Sequence, residues 1–200
     1  MLYVILTYLF NENLIVYFYT FYYIYLNKAM SSYSSFDIAN YFLSKSAVEK
    51  TPLTNLKLQK MVYLAHGFYL ALTGEPLLDE RIEAWPYGPV ISDLYHYFKK
   101  FGSGVISTQV PIEIELTNLP SEELSNLKKE VTFNPKAIKS LNFTWDTCKN
   151  MDGIKLSNWT HIEGSPWKQA MDENKTVIPD DYIKKYFEKY LTKPAQEPTT

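Results

Sequence analysis

The chain is poor in the residues from which catalytic and metal-binding sites are usually made. It holds one cysteine, Cys148, in 200 residues. No disulfide can form within it and no cysteine-based metal site exists, which suits a reducing, cytoplasmic setting. Its three histidines, His66, His96 and His161, are scattered, and no H-E-x-x-H pair is present, so no metal is expected. Glycine is scarce as well, at seven residues. Gly102-x-Gly104 lacks the rest of a dinucleotide fingerprint, no phosphate loop occurs, and Ser165 has no G-x-S-x-G context. Nor is there an excess of positive charge. Twenty Lys and Arg against 22 Asp and Glu give a net charge of −2, without the electrostatic footprint of a nucleic-acid binder. Catalytic residues, metal and cofactor are therefore all read as none, and the chain as a non-enzyme.

What is present is apolar and aromatic. The hydrophobic fraction of 46% supports a real core, and there are four tryptophans and 17 tyrosines. Residues 1–29 stand apart from the rest, being rich in Tyr, Phe, Leu and Ile with only Glu12 and Lys28 as charges. Three readings compete. A signal peptide would need a basic start and a small-residue cleavage site, and neither occurs. A membrane anchor would need about 20 apolar residues. Asn11-Glu12-Asn13 interrupts that run, and a central acid costs about 2.5–3.5 kcal/mol on insertion. The favoured reading takes Met30 as the start of the functional protein, with an apolar anchor or an extra packed helix as alternatives. Membrane attachment is expected only if residues 1–29 are real. Residues 30–191 then form the domain, and 192–200, T-K-P-A-Q-E-P-T-T, a tail with too little apolar surface to fold.

The pattern after Met30 predicts a mainly α, compact helical domain with a small β element. Ser34 or Ser35 caps a first helix bearing Ile38, Ala39, Phe42 and Leu43 at 3–4 spacing. Thr54 caps a long second helix, Asn55–Thr73, apolar on more than one face and stopped by Gly74. Lys57 and Lys60 lie one turn apart near its start. A solvated face is the preferred reading, and a cationic edge beside the next motif is the alternative. Residues 82–85 read as a short strand, and the turn Trp85-Pro86-Tyr87-Gly88-Pro89 as a rigid aromatic corner. A helix is expected from near Val90 to Phe98. Residues 109–116 alternate apolar and polar, predicting a second strand that pairs with 82–85 or lies nearby. Ser121 starts a short helix, Asn134-Pro135 marks a break, and a helix follows over 138–151, ended by Gly153. Ser165 caps a helix with Pro166 at its first position. Asp180 caps a last amphipathic one.

No side chain in this arrangement points to a reaction. His66 and His161 read as a core histidine and a helix-end packing histidine, Asp93 and His96 as a surface pair, and Cys148 as inert. Trp85, Tyr87, Trp159 and Trp167 remain, in segments framed by proline and glycine. They serve either as core keystones or as anchors of a binding surface.

Three stretches together resemble a known family. They are Leu56-Lys57-Leu58-Gln59-Lys60-Met61-Val62-Tyr63, then Glu83-Ala84-Trp85-Pro86-Tyr87-Gly88-Pro89-Val90, then Thr160-His161 with Ser165-Pro166-Trp167. In this order they resemble the Panacea domain, the SocA-like antitoxin family, once catalogued as a phage-associated domain of unknown function. The resemblance spans residues 36–191. Trp159 is a mild departure, since an aliphatic residue is commoner before Thr-His. The resemblance implies a bacterial or phage antitoxin that neutralises a cognate toxin by direct binding. In the SocA-like branch it further implies an adaptor that presents the toxin to a Clp-type protease. The runner-up is a DNA-binding autoregulator of its own operon, which the charge balance disfavours. The expected partner surface comprises Trp85, Tyr87, Gly88, Pro89, Lys57, Lys60, His161 and Trp167.

Overall fold

The computed structural model describes residues 32–107 and 131–191. The strand expected over 109–116, the helix after Ser121, and the stretches 1–29 and 192–200 lie outside the described residues. Among the described residues the fold is mainly α with one small antiparallel hairpin, as the sequence pattern predicts. No helix among them is long and apolar enough to cross a membrane.

Helix α1 (Ser35–Glu49) opens with a capping box. The Ser34 side chain accepts from the Asp37 N–H, and the Asp37 carboxylate accepts from the Ser34 N–H. Its Ile38, Ala39, Phe42 and Leu43 face inward. Helix α2 (Asn55–Thr73) runs between the Thr54 cap and Gly74, at φ 78°, as the sequence predicts. It is the spine of the molecule. Every residue from 57 to 70 is buried, because α1, α4 (Pro135–Cys148), α5 (Gly153–His161), α7 (Asp180–Leu191) and the hairpin all pack on it. Gly67 marks its tightest crossing, where an added Cβ would sit 2.5 Å from the Phe187 ring of α7. Edge-to-face packing of Phe68 on Phe187, with centroids 5.0 Å apart, continues the seam.

The hairpin pairs β1 (Glu83–Trp85) with β2 (Gly88–Val90) in the register Glu83↔Val90, Ala84↔Pro89 and Trp85↔Gly88. Among the described residues the partner of 82–85 is thus its own immediate continuation, which the sequence reading did not foresee. The helix expected from near Val90 to Phe98 is α3 (Ser92–Phe98), followed by a 3-10 turn over Lys99–Phe101. The turn residues are Pro86 and Tyr87. Pro86 cannot take the positive φ of the common two-residue hairpin turns, so that backbone freedom moves to Gly88, at φ 104°. The other edge of β1 is covered too: the Ala84 N–H donates to Thr176 O at 2.9 Å and the Ile178 N–H to Ile82 O at 2.8 Å.

Two boundaries in the C-terminal half also differ from expectation. Asn134 is the cap of α4 and Pro135 its first residue, so the expected break is a helix start. Gly153 does not end that helix; it opens α5 behind the Asp152 cap, where an added Cβ would press on Leu56 and the Lys57 backbone. Leu141, Trp145 and Cys148 line the inner face of α4 as expected. Helix α6 (Pro166–Asp172) begins at Ser165-Pro166 as predicted. Asp180 is the first residue of α7 rather than its cap, and its carboxylate accepts from His66 Nε2 at 3.2 Å.

Candidate functional site

The corner is held from behind by its own backbone. Along the edge of β2 that faces away from β1, the polar groups are Tyr87 O, Pro89 O and the Ile91 N–H; Pro89 contributes no donor. A third strand would normally bond them. Here helix α2 takes that place with two consecutive side chains. Lys60 Nζ donates to Tyr87 O and Pro89 O, both at 3.0 Å, and Gln59 Oε1 accepts from the Ile91 N–H at 3.0 Å. From the third signature segment, Trp167 Nε1 donates to Trp85 O at 2.8 Å. The three stretches on which the sequence resemblance rests therefore meet at one backbone.

Lys60 is completely buried. Its partners are neutral carbonyls, and burial pushes its ammonium down to about 7. Lys57 is buried as well, donates from Nζ to Lys149 O at 2.6 Å, and is lowered mainly by the same desolvation. The solvated-face reading of these two lysines is thus corrected. A lysine near the start of a helix reads as surface only when solvent covers that face, and here the hairpin and the end of α4 cover it. The other buried polar residues of α2 behave alike. Asn55 Nδ2 donates to Tyr95 O at 3.2 Å, and His66 Nδ1 accepts from the Leu78 N–H at 3.3 Å. That bond leaves the proton of His66 on Nε2, facing Asp180. The spine reads the backbone of the loops laid on it. Sequence reasoning assigned no role to the side chains of Gln59 and Asn55. Their signal was polar residues interleaved in an otherwise all-round apolar helix.

Gly88 is fixed by the same contacts. A Cβ there would lie 2.6 Å from Lys60 Nζ and 2.9 Å from His161 Cε1. His161 closes this side as a helix-end histidine. Its Nδ1 lies 2.5 Å from Ser157 O, and its ring packs on Trp167 with centroids 4.0 Å apart.

The outward side is different. The Tyr87 side chain is 82% exposed, and Pro86 beside it is exposed too. Trp85 is half-buried; its Nε1 donates to Glu83 Oε2 at 2.5 Å, and its ring meets Tyr95 and His96 at 5.1 and 6.0 Å. Of the eight residues expected at a partner surface, Tyr87 is presented, Trp85 and His161 are partly open, and Lys57, Lys60, Gly88, Pro89 and Trp167 are buried. An open cleft of about 510 Å³ adjoins the corner, lined by residues 83–86 of β1 and the turn and by Met171, Asn174, Lys175 and Thr176. Among the described residues no group of three His, Cys, Asp or Glu side chains is placed to hold a metal ion. Cys148 is buried, and desolvation pushes its thiol up to about 12.

The site is thus a helical domain packed around one hairpin, with an exposed aromatic turn at its surface. Comparison with known proteins gives the family: residues 58–168 match the profile described as antitoxin SocA-like, Panacea domain, and the chain belongs to that family. The chain is also similar to antitoxin SocA of Caulobacter vibrioides (strain NA1000 / CB15N). The two are 30% identical over 134 residues, which is 65% of this chain and 66% of that protein. No solved structure matches.

Proposed function

We propose that this chain is an antitoxin that neutralises a cognate toxin by direct protein binding, with the Trp85–Tyr87 corner as the centre of the contact. Family membership supports the antitoxin role. The observation that supports this surface is a large aromatic ring, 82% exposed, on a backbone of which four polar groups are engaged from behind. Such a ring loses little entropy on binding, because its mount is already rigid. Neither strand of the hairpin offers a free edge among the described residues, so recognition at the corner proceeds through side chains rather than by strand addition.

The test is growth rescue when the chain is co-expressed with the product of the neighbouring gene. Tyr87→Ala and Trp85→Ala, each verified as folded, abolish rescue on this reading; full rescue by both moves the interface elsewhere. Presentation of the bound toxin to a Clp-type protease in the cytoplasm is the extension that the SocA-like resemblance implies. It predicts that toxin half-life shortens when the antitoxin is present and lengthens when the protease is removed.

A further inference from the structure

The cleft beside the corner is uneven in charge. Its walls, Ala84, Trp85, Pro86 and Met171, are mostly apolar. The cation on its rim is already committed: Lys175 Nζ lies 2.9 Å from Glu173 and 5.5 Å over the Tyr182 ring. The anion is not. Glu83 lines the cleft, its Oε2 accepts only from the neutral indole of Trp85, and it takes part in none of the ion pairs among the described residues. A half-buried carboxylate held in place by a tryptophan and flanked by apolar walls has the chemistry to bind a long side chain with an apolar stem and a cationic head.

We propose that this cleft receives an arginine side chain of the protein partner, with its methylenes against Met171 and Pro86 and its guanidinium bonded to Oε1 of Glu83, the oxygen that the Trp85 indole leaves open, beside the Trp85 ring. Arginine fits better than lysine. Its planar head stacks on an aromatic face while bonding a carboxylate, and it is more weakly hydrated than an ammonium, so it loses less on entering. The inference rests on the reading of the corner as partner-facing and adds the chemistry of the partner.

The first test needs no toxin. The probes are N-acetyl-arginine amide and its neutral isostere N-acetyl-citrulline amide, titrated at millimolar concentration and equal ionic strength into the full chain. The Trp85 indole N–H and the Met171 methyl are followed by NMR. The arginine derivative is expected to move both signals saturably and the citrulline derivative to move neither. Glu83→Gln keeps a carbonyl acceptor for the indole and removes only the charge, so it is expected to weaken the arginine effect about tenfold or more. Equal responses to the two probes, no response to arginine, or a response unchanged in Glu83→Gln would each overturn the proposal. Growth rescue separates this failure from that of the broader reading. Rescue lost in Trp85→Ala but intact in Glu83→Gln overturns the arginine site and leaves the partner-facing corner standing. Rescue intact in Tyr87→Ala, Trp85→Ala and Glu83→Gln overturns both.

Discussion

The inner and outer sides of the hairpin are built on opposite principles, though Tyr87 belongs to both. On the inner side its carbonyl is one of four backbone groups bonded by Lys60, Gln59 and Trp167. On the outer side its ring stands in solvent. The inner side is unforgiving: buried backbone groups must be paired, and the φ of 104° at Gly88 must be kept. On the outer side the exposed Tyr87 ring contributes little to folding. Residues that share a motif in sequence therefore divide into those that hold the corner and the one that the corner displays.

Substitutions ranked by effect on stability test that division. Gly88→Ala should be the most damaging. It combines a positive φ, which costs about 1–3 kcal/mol for a residue with a side chain, with a Cβ 2.6 Å from Lys60 Nζ. Chemical denaturation should show a loss at the upper end of that range or beyond; a loss under 1 kcal/mol would mean that the corner is not tightly mounted. Lys60→Met follows. It keeps the volume but strips Tyr87 O and Pro89 O of their donor, at about 1–3 kcal/mol for each buried group left unpaired. Relief from burying a cation offsets much of this, and the net loss is expected to fall below that of Gly88→Ala. Trp167→Phe, which removes the indole donor to Trp85 O and some buried ring volume, should cost about 1–3 kcal/mol.

Lys60 also gives the inner side a pH signature. Its ammonium titrates near 7 in the folded protein and near 10.4 in the unfolded chain. Below about 7 it is charged in both states, and the burial penalty is full and constant. Between about 7 and 10 the unfolded chain still holds a proton that the folded protein has released, so stability rises with pH, by at most about 1.4 kcal/mol per unit. Stability curves of the wild type and Lys60→Met, measured from pH 6 to 10 (a range of about four units), should therefore diverge upward in favour of the wild type. Parallel curves would show that Lys60 is not desolvated.

Much of this fold was legible in the sequence. Thr54 and Gly74 bounded α2 correctly because capping chemistry is local, and Ser165-Pro166 marked the start of α6 for the same reason. The errors came from two sources, local signals read in the wrong sense and long-range packing. Pro135 and Gly153 each looked like a stop, yet both are starts, because Asn134 and Asp152 supply caps just before them. The pairing of β1 with β2 was hidden by Pro86, which disqualifies the usual hairpin turns while Gly88 carries the compensating φ one residue later. Lys57 and Lys60 were misread because charge alone suggests solvent. Nothing local reveals that carbonyls from the hairpin and from the end of α4 will descend on them. Tyr87 and Trp85 stood out in the sequence as aromatics framed by proline and glycine, but only the structure separates the displayed ring from the buried mounts.

The most direct test of that separation is one variant measured twice. Tyr87→Ala should leave the unfolding free energy within about 0.5 kcal/mol of wild type, as expected for an exposed side chain. It should also weaken binding of the purified cognate toxin by about thirtyfold or more, the loss of a central aromatic anchor worth about 2 kcal/mol. Unchanged toxin affinity at unchanged stability would contradict the account, leaving the corner a structural joint with no part in recognition.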